Sequence, residues 1–217
     1  MRYDAILFDV DGTLIDSAPG ILHTLEEVFH IMETDITGVD LHKYLGPPLR
    51  KTFGEYYADE NTIEHAAALY RSSYAVKGSH DCKVYPGARK MLHKLKSAGV
   101  VLCTATCNPT EVVKPILEEQ GLAPFFDIII GASMDTSRDT KADVISYAMN
   151  QPMLYGRHVL MVGDRSDDIL GAHICGVDAA AVLYGYGSLE ELAPFSPLLY
   201  AENCDQLTDF ILSGSAK

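Results

Sequence analysis

Apolar runs without polar alternation recur along the chain, and between them lie stretches whose apolar positions repeat every three or four residues. The runs are 5–10 (AILFDV), 100–105 (VVLCTA), 125–130 (FFDIII), 158–164 (HVLMVGD) and 178–184 (DAAAVLY). Continuous apolar runs of this length predict strands covered on both faces. In 87–99, Ala88, Met91, Leu92 and Leu95 share one helical face, and Gly99 stands where a terminating glycine belongs. Asn108-Pro109-Thr110-Glu111 predicts a helix start, with asparagine as N-cap, proline first and glutamate third. Val112, Val113, Ile116 and Leu117 supply that helix's apolar face, Gly121 ends it, and Pro115 predicts a bend within it. Segments 141–150 and 167–176 predict two more helices. Strands alternating with helices of this length imply right-handed βαβ units, hence a doubly wound, Rossmann-like parallel sheet.

Residues 17–84 break the rhythm. No convincing buried strand occurs there. Two helices are predicted, over 20–33 and 61–76, joined through "YLGPPLRKTFGEYY", whose Gly-Pro-Pro marks a stiff turn. The expected organisation is an α/β core of residues 1–16 and 85–217 with a small helical insert, 17–84. The final "SGSAK" reads as frayed.

Composition narrows the function. A chain of 217 residues, 47% of them hydrophobic, suffices for one full core and a small satellite. Seventeen Lys and Arg against 30 Asp and Glu give a net charge of −13, which argues against a nucleic acid polymer as partner. The sequence has no apolar run of transmembrane length and no signal-peptide pattern at its start. Its five cysteines (Cys82, Cys103, Cys107, Cys175, Cys204) are scattered and read as free thiols. The expectation is a cytoplasmic protein with no membrane partner, a monomer or homodimer.

Ligands of open parallel sheets bind at the carboxyl ends of the strands. Standing there are Asp9 and Asp11, then Thr104, Thr106, Cys107 and Asn108, then Lys141, then Asp164 with Asp167 and Asp168. Two acids as close as Asp9 and Asp11 disfavour each other's ionisation. They coexist if a hard cation such as Mg²⁺ takes one while the other carries a proton for part of a cycle. The hydroxyl, the lysine and the N–H groups at helix starts suit a phosphoryl group. Singly, each feature has a plainer explanation: a turn, a cap, a solvated lysine, or acids favoured by a helix dipole. Together at one sheet edge they point to a site.

"DVDGT", a threonine ending the second core strand, an isolated lysine and "GDRSDD", in this order, resemble the motif set of the haloacid dehalogenase superfamily of phosphohydrolases. The insert resembles the helical cap of its phosphoglycolate phosphatase-like group, as do "LGPPL", "YPG" and "VLYGYGSLEEL". The resemblance covers nearly the whole chain. It implies a Mg²⁺-dependent phosphatase acting on a small phosphorylated metabolite, such as a phosphoglycolate-like compound or a nucleoside 5′-monophosphate. Asp9 would be the nucleophile and form an aspartyl-phosphate, and Asp11 the general acid and base. Mg²⁺ would be held by Asp9, the main-chain carbonyl of Asp11 and Asp164, with Asp168 in support. Thr106, chosen over Thr104 because it directly precedes the Asn108-Pro109 helix start, and Lys141 would hold the phosphoryl oxygens. "TCNP" departs from the family pattern, in which a lysine or arginine often precedes the proline. Arg50, after the Pro-Pro turn, is the candidate for selecting substrates. The competing functions are a phosphomutase acting on a sugar phosphate with the same core, and a phospho-accepting regulatory module.

Overall fold

The computed structural model describes residues 2–135 and 137–213. In chain order the elements are β1 (Ala5–Phe8), β2 (Ile15–Asp16), α1 (Ala18–Ile31), α2 (Leu49–Gly54), α3 (Glu60–Val76), β3 (Lys83–Val84), α4 (Ala88–Ser97), β4 (Val101–Thr104), β5 (Thr106–Pro109), α5 (Thr110–Glu119), β6 (Gly131–Ala132), α6 (Lys141–Met149), β7 (Val159–Gly163), α7 (Ser166–Ile174), β8 (Asp178–Val182), α8 (Leu189–Leu192), β9 (Tyr200–Ala201) and α9 (Cys204–Leu212). Of the described residues, those up to Ile15 and from Val84 onward form one compact unit, and Asp16–Lys83 form a second.

The first unit is built on a parallel sheet in the order β4-β1-β7-β8-β9. β1 is an interior strand: Ala5 to Phe8 are fully buried and pair with Val101–Thr104 on one side and Val159–Val162 on the other. Its lack of polar alternation follows, since helices cover both faces. Leu7, Cys103, Met161 and Ala179 face one core, shared with Val144, Ile145 and Ala148 of α6 and Ile169 and Ala172 of α7. α4 and α9 pack together elsewhere on the unit. α4, α5 and α7 are each followed, two residues on, by a glycine with positive φ: Gly99, Gly121 and Gly176. There the left-handed conformation ends the helix at no steric cost.

In the second unit α1 and α3 pack against each other, burying Leu25, Val28 and Phe29 of α1 and Ala66, Ala67, Tyr70 and Tyr74 of α3. Phe29 also meets the rings of Phe53 and Tyr56, at centroid distances of 5.6 and 4.6 Å. The six-residue α2, which begins after Pro48, was not legible in the sequence. No helix among the described residues is long and apolar enough to cross a membrane.

Two expectations need correction. Residues 125–130 are not a strand: 123–125 form a 3₁₀ turn, and 127–130 run beside β4 with a single bridge, Cys103 to Ile128. The Thr104 hydroxyl explains this. It accepts the Ile130 N–H at 2.7 Å, so a side chain takes the backbone donor that the next ladder bond would need, while the Ile130 carbonyl receives both this hydroxyl at 2.8 Å and the Thr106 N–H at 3.4 Å. The helix predicted from Asn108 starts instead at Thr110, because Thr106–Pro109 are taken by short parallel pairing with Gly131–Ala132. β9 and α9 were not anticipated. Of the tail expected to fray, residues 214–217 lie outside the described residues.

Candidate active site

Asp9 lies one residue beyond β1, and its N–H still donates to the Val162 carbonyl at 2.8 Å, so the sheet register fixes where its side chain begins. The chain then turns tightly. Gly12 has φ +81°, and the N–H groups of Leu14 and Ile15 return to the Val10 carbonyl at 2.8 and 3.0 Å. This turn brings the Thr13 hydroxyl to 3.2 Å from Asp164 Oδ1. Gly12 is required twice over, because a Cβ there would also run into the Asp164 carboxylate.

Asp164 follows β7 and is completely buried. Its second oxygen accepts the Tyr186 N–H at 2.7 Å. Gly185 and Gly187 flank that contact, and a side chain on either would collide with Asp164. The segment Gly185-Tyr186-Gly187 is thus a functional element that the sequence reading did not assign. A Gly-x-Gly just past a strand was its signal.

Lys141 is the first residue of α6, whose start is set by a capping box: Thr140 Oγ1 accepts the Asp143 N–H and Asp143 accepts the Thr140 N–H. Its ammonium is buried and meets three oxygens: Asp168 Oδ1 at 2.7 Å, Asp9 Oδ1 at 2.8 Å and the Ala105 carbonyl at 3.0 Å. Asp168 Oδ2 accepts the N–H groups of Asp164 and Arg165, both at 3.0 Å. One carboxylate therefore ties Lys141 to the backbone at the start of α7. Gly171 leaves room for the Lys141 stem, whose Cγ would stand 3.0 Å from an added Cβ.

The remaining candidates fall as follows. Asp11 Oδ2 accepts from the Asn108 side-chain amide at 3.3 Å. Thr106 is buried next to Ala105, and its hydroxyl accepts the Asn108 N–H at 3.2 Å. The Thr104 hydroxyl is committed to Ile130, and Asp167 is exposed. Burial pushes the Cys107 thiol up to about 12, so it stays protonated at neutral pH. Arg50 belongs to the helical unit, where it pairs with Glu60 at 2.8 Å and Glu64 at 2.7 Å.

Burial dominates the electrostatics. It raises Asp9 to about 7, against the pull of Lys141, with Asp168 and Asp11 adding to the rise. Burial also holds Asp164 well above the usual carboxylate range, aided by Asp168 and Asp9. For Lys141, burial works against the charge, but Asp168 and Asp9 outweigh it and hold the ammonium well above its ordinary value. Asp9, Asp164 and Asp168 each offer an oxygen, and these lie within 4.8 Å of one another. The one ammonium meets two of these three buried carboxylates, Asp9 and Asp168, and this all-oxygen set, short of positive charge, fits a hard divalent cation.

A pH dependence follows. A proton held by Asp9 in the folded state up to about pH 7, but only to about pH 4 when unfolded, stabilises the metal-free fold at low pH. That contribution is lost as pH rises through 7. A cation needs the ionised form and displaces the proton. The melting temperature gained on adding Mg²⁺ should therefore grow from pH 5 to pH 8. Thermal shift with and without Mg²⁺ at the two pH values checks this; an equal gain at both would count against cation binding at Asp9.

Residues 6–182 match the family model described as haloacid dehalogenase-like hydrolase. A 5′-nucleotidase of Pseudomonas aeruginosa is 33% identical over 217 residues, covering 98% of this chain and 97% of that protein. Phosphoglycolate phosphatase 1 of the same organism is 31% identical over 214 residues, 93% of this chain and 77% of that protein. Tyrosine-protein kinase PtkA of Mycobacterium tuberculosis is 33% identical over 207 residues, 94% of this chain and 71% of that protein. Among solved structures, a predicted phosphatase from Clostridium acetobutylicum is 39% identical with a TM-score of 0.91, covering 98% of this chain and 99% of that one.

Proposed function

Since the chain belongs to the haloacid dehalogenase-like hydrolase family and is a phosphoric monoester hydrolase, we propose that it hydrolyses small phosphomonoesters through an aspartyl-phosphate on Asp9. The observation that carries this is the grip on Asp9: Lys141 holds Oδ1, while Oδ2 takes no hydrogen bond among the described residues. One oxygen is fixed and the other is left to attack.

In the first step the free Asp9 oxygen bonds to phosphorus, the bond to the alcohol oxygen breaks, and Asp11 gives that oxygen its proton. In the second, water attacks the phosphorus of the aspartyl-phosphate, Asp11 takes a proton from it, and inorganic phosphate leaves with Asp9 restored. Lys141 and Thr106 address the phosphoryl oxygens, whose charge must be balanced in the transition state. Asp168 keeps Lys141 in place. Asp9, Asp164 and the main-chain carbonyl of Asp11 would hold Mg²⁺. The chemistry such an ion supplies is neutralisation of charge on the phosphoryl oxygens.

These groups handle only the phosphoryl moiety, so we assign choice of the leaving group to the helical unit. Arg50 is our candidate there. Its pairs with Glu60 and Glu64 would have to be exchanged for a substrate anion. The relatives named 5′-nucleotidase and phosphoglycolate phosphatase support a small substrate, such as a nucleoside 5′-monophosphate or a phosphoglycolate-like compound, over a polymer.

The kinship with PtkA raises a second reading, transfer of the phosphoryl group to a hydroxyl rather than to water. The same carboxylate and lysine would serve both, and only the acceptor differs. p-Nitrophenyl phosphate separates them. A hydrolase releases nitrophenol and phosphate in equal amounts, turns over with Mg²⁺ and stops in EDTA, even with tyrosine or a sugar phosphate present. A phosphate yield well below the nitrophenol yield with such acceptors would favour transfer, and full turnover in EDTA would remove the metal.

A further inference from the structure

Asn108 was expected to cap a helix, and it does not. α5 begins two residues later, and no side chain caps it. Thr110, which could have competed for the role, accepts the Gly131 N–H through its hydroxyl at 2.9 Å. The Asn108 side chain makes a single hydrogen bond among the described residues, from Nδ2 to Asp11 Oδ2. An ionised carboxylate can only accept, so the amide must present its nitrogen there. At 3.3 Å the bond is long, as hydrogen bonds in unliganded sites often are.

The backbone beneath this amide is held from several sides. Its N–H is bound by Thr106 Oγ1 at 3.2 Å. Its carbonyl lies where a Cβ on residue 131 would collide, which only glycine avoids. Pro109, next in the chain, restricts residue 108 to an extended conformation. A fixed backbone aims a short side chain with little freedom. The sequence puts a neutral amide where the resembling family often has a cation, so the contact orients Asp11 without adding charge.

We propose that Asn108 is a positioning residue for Asp11. By donating to Oδ2 it holds the carboxylate in one orientation and requires that the proton passed to the leaving alcohol be carried on Oδ1. This rests on the reading of Asp11 as general acid, and the test separates the two claims.

p-Nitrophenyl, phenyl and benzyl phosphates have similar shapes and leaving groups that increasingly need a proton. kcat/KM, which reports formation of the aspartyl-phosphate, is measured on all three for wild type, Asn108→Ala, Asn108→Leu, Asp11→Asn and the double variant Asn108→Ala/Asp11→Asn. The leucine is close in shape to asparagine and serves if the alanine variant folds poorly; melting temperatures report on that. For Asn108→Ala and Asn108→Leu we expect about a tenfold loss on benzyl phosphate, the scale for a hydrogen bond to a charged group, and little loss on p-nitrophenyl phosphate. In the Asp11→Asn background the same change should have no further effect on the leaving-group dependence, because the side chain at 11 no longer carries a proton for Asn108 to position. Equal losses on all three substrates, or an undiminished loss in the double variant, would overturn the positioning role. If Asp11→Asn itself shows no dependence on leaving group, the general-acid reading fails first.

Discussion

Asp9→Asn is expected to abolish phosphatase activity, with a loss on the order of 10⁴-fold or more, the scale on which removed nucleophiles are felt. An amide cannot form the acyl phosphate. It can still accept from Lys141 through its oxygen, and Lys141 keeps Asp168 and the Ala105 carbonyl, so the site's hydrogen bonds survive. The variant's melting temperature should stay near that of the wild type, because a costly buried carboxylate is replaced by a neutral group of the same shape. Phosphate release from p-nitrophenyl phosphate, measured beside thermal unfolding, checks both halves. Substantial residual turnover in a folded, contaminant-free variant would mean that Asp9 is not the nucleophile.

Lys141→Met should be the most destabilising single change at the site. The ammonium and the carboxylates it meets are almost wholly buried, with side chains 6%, 10% and 1% exposed for Lys141, Asp9 and Asp168. Removing one member of such a cluster leaves charge uncompensated, at a cost of about 3–5 kcal/mol. The pH dependence gives the mechanism away. The ammonium lowers the Asp9 pKa, so without it that pKa rises beyond about 7. The destabilisation should then be largest near pH 8 and shrink towards pH 5, where Asp9 takes up its proton. Urea unfolding of both proteins at the two pH values measures this. A pH-independent difference would assign the loss to packing of the lysine stem instead.

How far the sequence could be read depended on whether a signal was local. β1 was visible because a strand covered on both faces is apolar throughout, and Asp9 and Asp11 because acids end it so abruptly. The helix ends at Gly99 and Gly121 rested on one residue's conformational freedom. Where a residue had two physical uses, the local reading chose the commoner one. Asn108 before proline looks like a cap, and nothing nearby in sequence reveals Asp11, 97 residues away, as its partner. Residues 125–130 looked like a strand because their composition says so, while the Thr104 hydroxyl that takes the Ile130 backbone is 26 residues distant. Lys141 was found as an isolated lysine, but its sharing between Asp9 and Asp168 is a product of the fold. Tyr186 donates its backbone N–H to Asp164, and a backbone donor leaves no mark except the glycines beside it.

The most direct test of the central claim is to trap the covalent intermediate. The enzyme is mixed with Mg²⁺ and p-nitrophenyl phosphate, quenched in acid during turnover and reduced with borohydride, which converts an aspartyl-phosphate to homoserine. Peptide mass spectrometry should then find homoserine at position 9, and none in protein treated without substrate. Unmodified Asp9 throughout turnover, or an acid-stable phosphate on a tyrosine that accumulates as nitrophenol is released, would contradict the account.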